Sequence, residues 1–518
     1  MAATPLKNPK ISAYLRSGNT KFSHRFSSPS TVIYPSLKTS SICETLFFSS
    51  LRPQKLRFYP VSLCSATVSG ERLTFDVVVV GAGIIGLTIV RQFLLQSKLS
   101  VAVVDAGVPC SGATGAGQGY IWMVHKRPGT AAWELANRSK QLWEELAEEI
   151  QEQNMDPLDM LGWMKRGSLL VGRSLGESTS LQERVRLLSE AGLKVQYLPA
   201  SDLLKKEPSL DVGSEGGAAF VLDDCQLDAQ RTVEFIEKGW DHQMSHELPS
   251  RRRIIILGNK SFSQHDRYRE FYYEPAVRLL RSPETGDVEA VKTSKNVLYS
   301  RKAIVIAAGA WSGTLMQNLI VESDISLNVP VKPHKVVYIG HLLILENFRN
   351  LQLRHGVMEV DYVTHQNGPS ISDSSTSIVA EDDSHILSIS MTATTDMWGN
   401  LVLGSSRQFT GFDTQVEDSI VKCIIERAGE FFPALRRLPL LEFMRSGKIR
   451  VGLRPYMHDG KPIIGPVPGL PKVMLATGHE GCGLSMALGT AEMVADMVLG
   501  NSLTIDSTPF SAQGRYDQ

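Results

Sequence analysis

The sequence has few cysteines and no clusters of them. Cys43, Cys64, Cys110, Cys225, Cys423 and Cys482 stand apart and none forms a CxxC pair. A disulfide framework and a zinc site are therefore not expected, since zinc needs Cys or His ligands at short spacing. Scattered thiols suit a reducing compartment. Net charge is lacking too: Lys and Arg number 54, as do Asp and Glu. That balance argues against a nucleic-acid binder or a strongly charged membrane-surface protein. Long apolar runs are missing as well. The longest, Val77 to Val90, is broken by Gly81, Gly83 and Gly86 and is too short to span a bilayer, and no secretory h-region is visible.

Acids are nearly absent from residues 1–70, where Lys7, Lys10, Arg16, Lys21, Arg25, Lys38, Arg52, Lys55 and Arg57 face Glu44 alone amid many serines and threonines. This composition reads as an organelle transit peptide, with a disordered tail as the alternative. The long Ser-rich form points to the chloroplast stroma, with the mitochondrion as the alternative.

The 518 residues exceed what one core organises, so two structural units are expected. Phe75 to Val80 is a β-branched run of the kind buried on both faces of a parallel sheet. A helix follows from about Ile84 to Gln96, and then a second strand ending on Asp105, which completes a β-α-β unit. Between them lies Gly81-Ala82-Gly83-Ile84-Ile85-Gly86. The first glycine permits a tight turn, the second admits a pyrophosphate to the backbone, and the third allows close helix–strand packing. The phosphate sits on the helix N-terminus and Asp105 accepts the ribose hydroxyls. The turn alone serves FAD and NAD equally. Downstream, Cys110 to Gly119 is a small-residue loop whose Ser111, Thr114 and Gly115 can line an extended cofactor.

A strand ending in Ala307-Ala308-Gly309-Ala310-Trp311 returns the chain to the parallel sheet, and Leu403-Gly404-Ser405-Ser406 lies in a later β-rich stretch. The C-terminal block reads Gly452-Leu453-Arg454-Pro455-Tyr456-Met457-His458-Asp459-Gly460-Lys461-Pro462-Ile463-Ile464-Gly465, then Ala476-Thr477-Gly478-His479-Glu480-Gly481-Cys482-Gly483-Leu484. Together these motifs closely resemble the D-amino-acid oxidase superfamily of FAD enzymes, in its glycine oxidase and sarcosine oxidase branch.

The resemblance implies an α/β fold in which a Rossmann-like FAD-binding domain (71–135, 210–330 and 440–505) interleaves with a β-rich, α+β substrate domain (136–209 and 331–439). A possible insert spans 240–257, and 506–518 form a tail. It also implies that the Gly478 to Gly483 turn, with Gly481, Cys482 and Leu484, aims N–H groups at the pyrimidine edge of a flavin, where charge develops on reduction. Arg454 would fork onto a substrate carboxylate. His479 would shape the turn or line the flavin, and Tyr456 and Tyr338 would offer pocket hydroxyls. Some relatives carry a second arginine where this chain has Gly481. No Cys or His stands at the positions used for covalent attachment, so noncovalent FAD is expected. The implied reaction is oxidation of a small amine or amino acid (glycine, sarcosine or D-amino-acid-like) to an imine by hydride transfer to flavin N5, with oxygen or another acceptor reoxidising the flavin. A flavin 2-hydroxy-acid dehydrogenase, a non-catalytic FAD-binding protein and an NAD-only dehydrogenase are the alternatives.

Overall fold

The computed structural model describes residues 70–238, 267–320, 338–346, 348, 351–366, 387–408, 411–438, 443 and 447–515. The expectations for residues 1–69 and for the insert at 240–257 lie outside these.

The β-α-β unit forms as the sequence dictates. Strand β1 (Arg72–Val80) leads into helix α1 (Ile84–Gln96) and strand β2 (Val101–Val104), with Val77 to Val79 and all of β2 fully buried. β1 pairs in parallel with β2 on one side and with Val297–Ile306 on the other. Strand Leu470–Thr477 joins Val297–Ile306 in parallel, so β1 and the last strand end at the same edge as that central strand. Helix α2 (Ala131–Glu152), N-capped by Thr130, buries Trp133, Trp143 and Ile150. It and α1 pack on the last helix, Gly483–Leu499. Together with the turn before it, that helix (Glu480–Leu499) is long and apolar enough to cross a membrane, but it is mostly buried inside the protein, as a core helix is.

A second sheet of eight strands is mainly antiparallel. Its order is Lys448–Arg454, Tyr338–Leu345, Leu401–Arg407, Ser388–Thr395, Gly356–Glu359, Ser168–Gly172, Gly217–Val221, Val195–Pro199. Helix Asp418–Phe431 covers it with Ile420, Val421, Ile424 and Ala428. The α/β Rossmann-like layer and the β-rich layer are thus both present.

Three stretches fall across the expected boundaries. Gly217–Val221 and Lys448–Arg454 pair in the second sheet, not the first, although 210–330 and 440–505 were assigned to the cofactor layer. α2 packs with the cofactor layer, whereas the expected boundary places 136–209 in the other. Short apolar strands carry no mark of which sheet they join, because their partners are distant in sequence. Residues 506–515 of the expected tail are packed on the rest of the protein. Phe510 and Ala512 are fully buried, and Arg515 pairs with Asp459 at 2.5 Å and donates to the Pro462 carbonyl at 2.9 Å.

Candidate active site

The glycine turn is dictated by close backbone approaches. Gly81 has φ +117°, and a Cβ there would stand 2.4 Å from the Ala307 carbonyl oxygen; at Gly86 it would stand 1.9 Å from that of Gly81. Both positions must be glycine for strand and helix to meet. Gly83 differs, since a Cβ there would meet only the Thr114 hydroxyl, at 3.3 Å. Its constraint comes from whatever occupies that opening. No side chain caps α1 at Gly83; Thr114 Oγ1 accepts the Ile84 N–H at 3.1 Å, and the helix cannot itself satisfy those of Ile85 and Gly86. Asp105 accepts the Ala82 N–H on one carboxylate oxygen and the Gly107 N–H on the other, both at 2.7 Å. Each oxygen keeps a lone pair for a ribose hydroxyl.

The Cys110 to Gly117 loop runs from this turn toward the last helix. Gly115 is needed where a Cβ would stand 2.2 Å from the Cys110 carbonyl oxygen, and Gly117 lies against Leu484. Ser111 and Gly115 line a cleft of about 490 Å³ that opens against helix Ala229–Lys238 and strand Lys448–Arg454. Burial, followed by the charge of Asp228, pushes the Cys110 thiol up to about 12, so it is no nucleophile for covalent attachment. At the far end the Gly478–Gly483 turn opens the last helix, again without a side-chain cap, and a Cβ at Gly483 would meet nothing within 4 Å. Gly309 sits beside it, its carbonyl accepting the Thr477 hydroxyl at 2.9 Å. Two helix N-termini whose N-cap residues supply no side-chain cap, joined by a small-residue loop, fit a dinucleotide with a flavin at the second end.

Around that second end lies a buried polar cluster. Strands Leu401–Arg407 and Lys448–Arg454 both run antiparallel to Tyr338–Leu345, so they point the same way and deliver Arg407 and Arg454 to one sheet edge. Arg454 Nη1 donates to Glu480 Oε1 at 3.0 Å, and Arg407 Nε stands 3.8 Å from the same oxygen. Glu480 is held at φ +47°, its N–H bonded to the Pro455 carbonyl. Burial alone would raise the Glu480 carboxyl, but Arg454 and Arg407 outweigh that and bring it down to about 2. The Arg407 guanidinium lies 4.5 Å above the centre of the Tyr362 ring, and the Tyr362 and Tyr120 hydroxyls are 2.8 Å apart. His125 stands edge-on to both tyrosines. Burial, then Lys126, Arg184 and Arg407, hold the His125 pKa well below its ordinary value, leaving the ring neutral.

The segment that carries these groups is pinned from below. Asp224 accepts the Met123 and Val124 N–H groups and the Ser168 hydroxyl, while Arg184 donates to the Val124 and Lys126 carbonyls. Burial pushes Asp224 up to about 6, against the lowering pull of Ser168 and Lys140. Lys126 Nζ contacts Cys482 Sγ at 3.2 Å.

The structure thus gathers Gly81, Gly83, Ile84, Ile85, Gly86, Asp105 and Thr114 at one end, and Gly478, Gly481, Cys482, Gly483, Leu484 and Arg454 at the other. It uses His479 differently: the ring is buried, Nε2 meets the Thr490 hydroxyl at 3.0 Å, and burial lowers its pKa to about 3. The ring serves the last helix rather than the Arg454 cluster. Tyr456 is half-buried just past the end of its strand, and the backbone of Tyr338 pairs opposite Arg454. At Gly481 a Cβ would stand 3.0 Å from Arg454 Nη1, so a larger residue would displace that arginine. Glu480, Arg407, Tyr120, Tyr362, His125 and Lys126 escape sequence reasoning. Glu480 lies inside the Gly478 to Gly483 motif and Arg407 directly follows Leu403 to Ser406, but the tyrosines and His125 carry no local signal.

Residues 76–239 and 266–497 match the family described as FAD dependent oxidoreductase, and the chain belongs to that family. It is 26% identical over 445 residues to a glycine oxidase of Pseudomonas aeruginosa, covering 85% of this chain and 99% of that one. To a glycine oxidase of Bacillus licheniformis it is 25% identical over 433 residues, covering 83% and 94%. The crystal structure of glycine oxidase from Geobacillus kaustophilus shares the fold, with a TM-score of 0.63 over 85% of this chain and 99% of that one at 21% identity. The protein is an FAD-dependent oxidoreductase with glycine oxidase relatives, and FAD is its cofactor.

Proposed function

We propose that this enzyme oxidises a small primary or secondary amine that bears a carboxylate, of the glycine, sarcosine or D-amino-acid kind. The observation that carries the reading is the largely enclosed guanidinium of Arg454, its side chain 14% exposed, beside the uncapped N-terminus of the last helix. A fork of N–H donors in a desolvated pocket is suited to a carboxylate, and Glu480 holds it in place. The glycine oxidase relatives support this class. FAD held between the two helix ends supplies the two-electron acceptor. His125, whose ring nitrogens have no hydrogen-bond partner among the described residues, is held unprotonated by burial and by Lys126, Arg184 and Arg407, so it offers the substrate an uncharged hydrogen-bonding ring rather than a base. Tyr120, raised far above the usual phenol range by burial and then by Tyr362, stays a phenol and orients rather than titrates.

Anaerobic mixing of the purified holoenzyme with amino acids and with 2-hydroxy acids tests the reading. Amines alone should bleach the flavin; bleaching by hydroxy acids alone would overturn it. Arg454→Ala should retain FAD and weaken binding of carboxylate substrates about tenfold to a hundredfold, the worth of one charge-assisted contact. Unchanged affinity would remove Arg454 from the site. We further propose a chloroplast address, with the mitochondrion as the alternative, on the composition of residues 1–70. A fluorescent fusion of that segment that stays in the cytosol would contradict it.

A further inference from the structure

We infer that the site takes amines carrying a second carboxylate, and that Arg407 binds it. The inference rests on the amine reading above for its chemistry but not for its binding evidence. Arg407 is 4% exposed, and neither Nε nor Nη2 has a hydrogen-bond partner among the described residues. A buried guanidinium with two unpaired donors is costly, and such donors are ordinarily completed by a water, an ion or a ligand; Arg407 is the one that faces the Arg454 pocket.

The charge balance points the same way. Arg454, Arg407 and Lys126 converge on the start of the last helix, and Glu480 is the carboxylate that reaches the two arginines there. Glu480 is committed to Arg454 at 3.0 Å, whereas its distance of 3.8 Å from Arg407 is too long for a hydrogen bond. Among the described residues no carboxylate pairs with Lys126. One carboxylate against three cations leaves two positive charges, and a substrate with a single carboxylate would neutralise one of them. A dianion neutralises both. Tyr362 beneath the Arg407 guanidinium fixes its plane, which gives a flat, forked receptor that matches a carboxylate bidentately. Arg454 and Arg407 lie at the ends of strands that point the same way, so they form two anchors of one pocket. The substrate class is therefore an acidic amino acid or an N-carboxymethyl amine.

The test uses inert ligands first. Succinate and propionate are titrated into the oxidised holoenzyme at constant ionic strength, and the shift of the flavin absorbance spectrum reports binding. Succinate should bind at least about tenfold more tightly than propionate, the worth of one charge-assisted pair. Arg407→Gln should bring the ratio below about threefold. Arg407→Lys, which keeps the charge but not the fork, should give an intermediate ratio, and FAD content and melting temperature establish that each variant is folded. Equal affinities in the unaltered enzyme, or a ratio unmoved in both variants, would overturn the inference. A succinate preference that depends on Arg407, with no flavin reduction by any amine, would uphold the second anchor and sink the amine reading instead.

Discussion

Gly83 and Gly86 are three residues apart in one motif, yet different things demand them. A Cβ at Gly86 collides with backbone inside the protein, whereas one at Gly83 touches a hydroxyl on a flexible side chain. Gly86→Ala should therefore destabilise the fold itself by about 1–3 kcal/mol, as overpacking does. Gly83→Ala should leave the apoprotein melting temperature almost unchanged while releasing FAD. Melting curves of stripped and reloaded protein distinguish the two, and equal apoprotein losses would contradict the assignment of Gly83 to the cofactor. Glu480 is the other residue whose role is sharp. Its folded pKa of about 2 lies below its ordinary 4.5, so its contribution is fully present above about pH 4.5 and is lost as pH falls toward 2. Glu480→Gln leaves two arginines facing each other without their counter-charge. It should cost about 3 kcal/mol of stability, the lower end for a broken buried pair because Glu480 keeps 18% of its side-chain surface in solvent. Denaturant unfolding checks this, and a loss under about 1 kcal/mol would mean that the pair is only a surface contact.

At the scale of elements, the first β-α-β unit was legible because its signals are local: a valine run, three glycines and an acid at the next strand's end. The pairing of Lys448–Arg454 was not, since its partner Tyr338–Leu345 lies about a hundred residues away in sequence. Arg454 could be read from its motif, while Glu480, in plain view two residues beyond Gly478, showed its purpose only once the turn and the strand were brought together. The last helix carries a separate prediction. His479 has a folded pKa of about 3 against an ordinary 6.5, so the unfolded chain binds a proton that the folded one refuses. The stability it contributes at neutral pH is lost as pH falls from about 6.5 to about 3, at up to about 1.4 kcal/mol per pH unit. His479→Gln can keep a hydrogen bond to Thr490 without a titrating ring. Its stability should fall less steeply across that range, and parallel profiles would show that the ring titrates normally. Asp224→Asn offers a single acceptor oxygen where three donors meet Asp224. It should loosen the 123–126 segment and lower turnover while FAD content is retained.

On the scale of the whole molecule, interleaving is what makes the site. The cofactor layer supplies the glycine turn, the small-residue loop and the last helix; the β-rich layer supplies both arginines. Neither layer alone has a carboxylate receptor next to a flavin-binding helix end, and this is why no compact catalytic motif stands out along the chain. Catalysis by orientation and electrostatics needs groups held still in a dry pocket rather than a strong acid or base. The most direct measurement of the central claim is anaerobic reduction of the holoenzyme by a panel of carboxylate-bearing amines, run beside the same amines with the carboxylate removed. Rapid bleaching of the flavin by the carboxylates, slowed in Arg454→Ala, is the predicted result. Equal bleaching by the decarboxylated amines, or none by any amine while a chemical reductant bleaches the flavin, would contradict it.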